Sequence, residues 1–397
     1  MNRLGHTTYL PRAARARVLA CGAYLKNRAC LVDGDRVFWS AAHGDLGAAT
    51  GREALSGSVD ALLAQARGPV DAIACDLHPD FYSTALAHGL AQRLGIPVIG
   101  VQHHLAHVGV VLAEHGLGQA VLGVALDGMG MGPDGTAWGG EVLWVPSAEV
   151  APAWQRLDHL ALLPLPGGEA AARQPWRLAA AVLFGLGRGD EIVPTFAPVV
   201  GDSAARQLHG MLLRQLNCPH SSSAGRWFDA AAGALGIRVH QAVEADAAMA
   251  LEALATQWLT AHPDYHFDWP SLDLAPVVGG LFALREGDDE ARAEGAARFH
   301  LALASGLAQC VGAHASSCGC RQVVLAGGCF ANQVLAGALR AALTTRGLTV
   351  LEPKSAGCGD AGLALGQAWM AGQQLAGPSA AVTAAPDTAD TALAVEH

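Results

Sequence analysis

The segment VQHHLAHVGVVLAEHG, residues 101–116, places His103, His104 and His107 within five positions of an apolar run that contains no proline. On a helix, side chains four apart share a face, so His103 and His107 can reach one ion while His104 points elsewhere. Neutral imidazole is a common ligand of divalent metals, yet two imidazoles leave such an ion short of its usual four donors. Carboxylates from elsewhere must complete the shell. Asp127 closes the apolar run VLGVAL and opens DGMGMGPDG, and Asp360 stands in GCGDAGLALG just ahead of an apolar, helix-patterned run. Each acid sits where a strand or loop gives way to a turn, from which side chains enter the crevice of an α/β sheet. Spacing alone allows the His pair to be a hydrogen-bonded surface feature and the acids to be turn chemistry. The metal reading requires all four to converge.

Glycine adds a second chemistry. DGMGMGPDGTAWGGE (127–141) and LAGGCFANQ (325–333) both follow strand-like runs, and glycines there permit positive φ and let backbone amides approach an anion. Neither stretch is a Walker A loop or a G-x-G-x-x-G fingerprint, so phosphate binding and a plain tight turn both stay open. In SSSAGRWFDAAAGALG (221–236), Arg226 and Asp229 fall within one helical turn, as an ion pair or as ligand contacts. The pair Cys318 and Cys320 is a weak zinc signal without a second pair, and reads as small residues ahead of a buried strand.

The elements that must position these residues follow from hydrophobic period. Residues 17–45 read as β-rich runs closed by the turn at 33–35, then a helix over 52–65, a buried strand over 70–78, a helix over 84–94, a strand over 97–102 and the histidine helix. From residue 120 the same order recurs: two strands, a long interruption over about 152–289 patterned as helices with few strands, then strand, helix, strand, helix to the end. Two copies of one layout suggest an internal duplication. The expected organisation is a short N-terminal tail over 1–16, a first lobe over 17–119, a second lobe over 120–375 with a helical insertion, and a disordered tail over 376–397.

Composition narrows the partners. Charged residues are 15% of the 397, against about 25% in an average chain. The net charge of −10, with no basic cluster, argues against a nucleic-acid partner. No apolar stretch approaches the roughly 20 residues that span a bilayer, so no membrane partner and a cytoplasmic location are expected. The nine cysteines are spaced too irregularly for a disulfide framework and are expected to be reduced thiols.

Taken together, the motifs resemble the C-terminal, TsaD-like domain of HypF-type carbamoyltransferases, which act in hydrogenase maturation. The matching stretches are LKNRACLV (25–32), CDLHPDFYST (75–84), the histidine segment, ALDGMGMGPDGTAWGGE (125–141), LPLPGGEAAARQPWR (163–177), SSAGRWFDAAAGALG, LAGGCFANQ and GDAGLALGQA (359–368). They run in family order from about Arg17 to Gly372. The resemblance implies an α/β, two-lobed fold of the actin-like, sugar-kinase and heat-shock-type ATPase class (ASKHA), with a nucleotide cleft between the lobes. It implies His103, His107, Asp127 and Asp360 as ligands of iron or zinc. It places Gly327, Gly328 and Asn332 on the nucleotide side, with Asp229 and Glu244 near the ribose hydroxyls.

The implied reaction moves a carbamoyl group from carbamoyladenylate, or from carbamoyl phosphate plus ATP, to the C-terminal cysteine of HypE, on the route to the cyanide ligand of [NiFe]-hydrogenase. The acceptor would supply the nucleophile, so no catalytic cysteine is assigned in this chain. Acylphosphatase-like, zinc-finger and YrdC-like domains, which accompany the TsaD-like domain in full-length family members, are not recognisable in the sequence, so a separate adenylate-forming protein is an expected partner. The sequence departs from the family at VEADAA (243–248) and SAGCGDAG (355–362), which puts the ribose and acceptor sides in more doubt than the metal. Two other readings stay open: a small-molecule O-carbamoyltransferase, and a non-catalytic nucleotide- and metal-binding maturation scaffold.

Overall fold

The computed structural model describes residues 3–147 and 153–376. In the first half, strands β1 (Leu4–Tyr9), β2 (Val18–Ala20), β3 (Cys30–Asp33), β4 (Arg36–Ser40), β5 (Ala72–Asp76) and β6 (Val98–Val101) form one sheet in the order β1-β4-β3-β2-β5-β6. Helices α1 (Ala49–Leu63), α2 (Tyr82–Leu94) and α3 (His103–His115) connect or follow them. The residues of β2, β3 and β5 are buried throughout, as expected for strands covered on both faces. Their period of two divides them: Leu19, Leu31 and Ile73 pack with Leu55, Val59 and Leu90 of α1 and α2, while Val18, Val32 and Ala74 face the opposite core.

The second half repeats this order. β7 (Val121–Met131) and β8 (Ala137–Val145) pair antiparallel, and β12 (Gln322–Ala326) and β13 (Thr349–Leu351) continue the sheet in parallel, as β2, β3, β5 and β6 do in the first. The intervening segment contributes β9 (Gln155–His159), β10 (Leu163–Pro164) and β11 (His220–Ser221) to the same sheet. Its helices are α4 (Glu169–Arg173), α5 (Pro175–Gly185), α6 (Ile192–Val200), α7 (Asp202–Leu213), α8 (Ala224–Ala234), α9 (Asp246–Ala261) and α10 (Ala275–Leu281). The 30-residue α11 (Asp289–Cys318) follows, and α12 (Gln333–Thr345) and α13 (Leu363–Ala376) close the fold.

Two expectations are corrected and a third is filled in. The segment read as a tail over 1–16 holds an edge strand: β1 pairs antiparallel with β4, Thr7 opposite Phe38 and Tyr9 opposite Arg36. The consecutive Thr7, Thr8 and Tyr9 are strand-favouring residues that the neighbouring arginines masked. The insertion, read as helices with few strands, holds three short ones; β10 and β11 have two residues each, too few to show a period. Ala376 is still helical, so the tail read from 376 begins inside α13, and residues 377–397 lie outside the described residues.

The two halves interlock through α3 and α13, which lie between the sheets. From the first half, α3 packs on β7 and β12; from the chain's end, α13 packs on β2, β3 and β5. They cross closely at two glycines. A Cβ at Gly109 would sit 2.9 Å from Gly366 O and 2.7 Å from Met370 Cγ, and one at Gly366 would sit 2.7 Å from the Ala106 carbonyl carbon and 2.9 Å from Val110 N. Only glycine allows this approach, and the approach brings the start of α13 beside the first turns of α3.

Candidate metal centre

Gln102 caps α3, its side-chain oxygen accepting from Leu105 N at 2.8 Å, so the helix starts immediately after β6 and its first two turns carry all three histidines. Asp127 lies at a register shift in the β7–β8 pair, between Leu126 and Gly130, the kind of irregularity that re-aims a side chain. Asp360 opens a short 3₁₀ turn leading into α13. The loop before it is tied to α3 by Glu114, whose carboxylate accepts from the backbone amides of Lys354, Ser355 and Ala356 at 2.6–2.8 Å.

These elements bring His103, His107, Asp127 and Asp360 into one cluster. His103 Nε2 is 3.2 Å from Asp127 Oδ2 and 3.4 Å from Asp360 Oδ1; His107 Nε2 is 3.6 Å and 3.4 Å from the same atoms. Donors bound to one ion at about 2.0–2.2 Å in a tetrahedron stand roughly 3.4 Å apart, so the spacing suits a four-coordinate divalent metal. His107 Nε2 is buried and makes no hydrogen bond despite the two carboxylates beside it. An orphaned buried donor atom of that kind is what a metal would satisfy.

Electrostatics agree with the geometry. Burial alone would lower the His103 pKa, but hydrogen bonds to Asp127, Asp360 and Asp76 hold it well above its usual value. Burial would likewise raise the Asp127 pKa, and the two imidazoles instead hold it well below the carboxylate range. Asp360 is lowered by the same pair of histidines against its own burial. His104 is different: burial and the neighbouring His103 push it down, and its Nδ1 accepts from Gln102 Nε2 at 2.9 Å, which takes it out of the cluster.

The sequence reading passed over Asp76. The His103 Nδ1–H donates to Asp76 Oδ2 at 2.7 Å, which fixes the tautomer and presents Nε2 to the cluster. The signal was present, since Asp76 ends a buried strand much as Asp127 ends the apolar run VLGVAL. Glu114 and Lys26 were missed as well. Lys26, at φ +48° in the β2–β3 connection, pairs with Glu244 at 3.1 Å. Burial would lower the Lys26 pKa, but Glu244, Asp360 and Asp127 together raise it.

The residues assigned to the nucleotide divide into two groups. Gly327, at φ +100°, donates its N–H to Cys358 O at 3.1 Å, and Gly328 N donates to Asp127 Oδ1 at 3.1 Å, so the glycine turn touches both the Asp360 loop and a cluster carboxylate. Asp229 is near as well: Ser223 caps α8 and donates to Asp127 O at 3.1 Å, and Arg226 pairs with Asp229 at 2.9 Å. Burial pushes the Asp229 pKa up to about 6, with Arg226 and Gln241 opposing. Asn332 has both side-chain functions engaged locally, Oδ1 capping α12 at Leu335 N and Nδ2 donating to His300 Nε2 at 2.8 Å. Glu244 stands in an exposed turn ahead of α9 and pairs with Lys26 across from the first half. Cys320 is buried and Cys318 exposed, and neither joins a metal-type cluster among the described residues.

Comparison with known proteins gives a consistent picture. Residues 13–114 match the HypF Kae1-like domain and residues 123–367 match the second subdomain of the carbamoyltransferase Kae1-like domain. The chain is 54% identical to a carbamoyltransferase HypF homolog of Cupriavidus necator over 94% of each chain. It is 41% identical to the carbamoyltransferase HypF of Rhizobium leguminosarum, covering 88% of this chain but 44% of that one. It therefore spans nearly all of one relative and under half of the other. Among solved structures, full-length HypF in its phosphate- and nucleotide-bound form superposes with a TM-score of 0.81 at 28% identity, over 94% of this chain and 48% of that one. HypF of T. kodakarensis superposes with a TM-score of 0.82 at 29% identity, over 93% and 49%. The fold is thus of the ASKHA class, as expected. With both Kae1-like family matches in register between residues 13 and 367, and a relative this similar along almost its whole length, the chain belongs to the HypF carbamoyltransferase family.

Proposed function

We propose that this chain carries out the last carbamoyl transfer of hydrogenase maturation, from carbamoyladenylate to the C-terminal cysteine of HypE, with the adenylate supplied by another protein in the cytoplasm. The observation that carries the reading is Asp127: one carboxylate oxygen faces His103 and His107, and the other accepts from the amide of Gly328 in the glycine turn. A cation gripped by the cluster and a nucleotide phosphate seated on that turn would share an edge. Crystallisation of a related HypF with phosphate and nucleotide supports a nucleotide in this fold.

The four donors fit iron or zinc, since both accept imidazole and carboxylate. When bound, such an ion supplies Lewis acidity, holding a phosphate or carbonyl oxygen as charge develops on it. The chain's own residues do the rest. Asp76 fixes the His103 ring, Glu114 fixes the loop carrying Asp360, and the Gly327–Gly328 turn offers amides to the departing phosphate. The exposed Lys26 ammonium, paired with Glu244 across the two halves, would attract the anionic adenylate. Asp229 would accept from a ribose hydroxyl. In the transfer, the acceptor sulfur forms a bond to the carbamoyl carbon, the bond from that carbon to the phosphate oxygen breaks, AMP leaves, and the thiol proton passes to solvent.

The test is to incubate the purified chain, reloaded with iron or zinc, with HypE and carbamoyladenylate and to weigh HypE by mass spectrometry. One carbamoyl mass on HypE, lost when its terminal cysteine is replaced by serine, is the expected result. AMP release with a small hydroxyl acceptor but not with HypE, or tight nucleotide binding without any AMP release, would overturn it in favour of the O-carbamoyltransferase or the scaffold.

A further inference from the structure

A second group of metal-type donors lies on the opposite side of the second sheet. Cys310 and His314 are four apart on α11, so they share a face, and Asp158 meets them from β9. Asp158 stands opposite Val142 in the β8–β9 pair, and Val142 belongs to the core beneath α11, whereas α3 covers the other face. The Cys310 thiol is 3.4 Å from Asp158 Oδ2, His314 Nε2 is 3.8 Å from the same oxygen, and the three donor atoms lie within 4.8 Å of one another. Tetrahedral zinc with bonds of about 2.0–2.3 Å holds its donors roughly 3.3–3.7 Å apart. The cluster therefore needs only rotamer-scale adjustment to close on an ion.

We propose that Asp158, Cys310 and His314 form a second metal site, of the zinc class, with three protein donors and a fourth position open to the adjoining pocket. That pocket has a volume of about 390 Å³ and is bounded by Ser271, Asp273 and Gly306 as well as by the three donors. It supplies the entry path. The Asp158 side chain is 46% exposed and that of His314 29%, so both are reachable from solvent. Thiolate, imidazole and carboxylate together select zinc over magnesium or calcium, which take oxygen donors. The ion would fasten β9, an added strand of the sheet, to α11, the longest helix. It shares no residue with the histidine cluster and does not depend on the proposed carbamoyl transfer.

Cobalt(II) distinguishes the two sites, because the histidine cluster contains no sulfur. In chelator-stripped protein carrying His107→Ala and Asp360→Ala, one equivalent of cobalt should produce a thiolate-to-cobalt charge-transfer band. Cys310→Ser should abolish the band. His314→Ala and Asp158→Asn should each weaken cobalt and zinc binding at least about tenfold. Zinc should raise the melting temperature of the parent and not that of Cys310→Ser. Absence of the band, or a band unchanged in Cys310→Ser, overturns the proposal. Should Cys310→Ser fail to fold, unchanged zinc affinity in the two solvent-exposed variants overturns it equally.

Discussion

Gly366→Ala tests whether the metal centre depends on how closely α3 and α13 cross. The added methyl would sit 2.7 Å from the Ala106 carbonyl carbon and 2.9 Å from Val110 N, and closer still to the Ala106 carbonyl oxygen. Carbon atoms in comfortable contact stand about 3.5–4.0 Å apart, so the helices must separate by roughly 1 Å. Backbone is the obstacle on both sides, and no side chain can swing away. Overpacking of this kind costs about 1–3 kcal/mol. Asp360 starts the turn that enters α13, six residues before Gly366, and would move with the helix, whereas His103 and His107 stay on α3. Metal bonds tolerate about 0.2 Å, several-fold less than the displacement. The variant should therefore fold with a lowered melting temperature and lose metal affinity by at least tenfold, measured by competition with a coloured chelator. Loss of stability with affinity intact would refute the claim that the crossing sets the cluster, and unchanged stability would refute the close approach itself.

Other expectations follow from single contacts. Asp76→Asn leaves the volume of the side chain but can invert the His103 tautomer, and should lower metal affinity about 10–100-fold without unfolding the chain, read by elemental analysis after dialysis. Arg156→Ala removes the guanidinium that donates to the fully buried Glu141 at 2.6 Å; because Gly139 N, Gly140 N and Ser222 also donate to that carboxylate, the loss should lie near the low end of about 3–5 kcal/mol in urea unfolding. Asp33 is held down to about 2, from 3.8, by Arg17 and Arg67 against its own burial. Its folded pKa is depressed, so its contribution, at most about 2 kcal/mol, is complete above pH 3.8 and disappears as pH falls toward about 2. The stability gap between wild type and Asp33→Asn should narrow over that window, and a gap that widens on acidification contradicts the assignment.

The sequence disclosed the candidate metal cluster more readily than the residues assigned to a nucleotide, for a physical reason. His103 and His107 are linked by helical period, Asp127 ends an apolar run and Asp360 stands just ahead of one, so all four carried local signals. Asp76 ended an apolar run as Asp127 does, but nothing in the sequence linked it to His103, 27 residues away. Cys310 and His314 had the period of His103 and His107, yet their partner Asp158 lies 152 residues away from Cys310 and showed nothing but an acid in a polar strand. Asn332 and Glu244 illustrate the reverse case. Their residue types suit a ligand, but a capping asparagine and an exposed glutamate are also what a helix start and a turn require, and sequence offers no way to separate those uses.

The interlocked helices explain why donors so distant in sequence can form one site. Had each lobe kept its own helices, the histidines would face the first sheet and Asp360 the second. Because α3 leaves the first sheet to cover the second, and α13 leaves the second to cover the first, both helices start on the same side of the interface. Asp127, between them at the irregularity of β7, reaches both. A cation held there would be coordinated from each half of the duplicated fold, by His103 and His107 from the first and by Asp127 and Asp360 from the second.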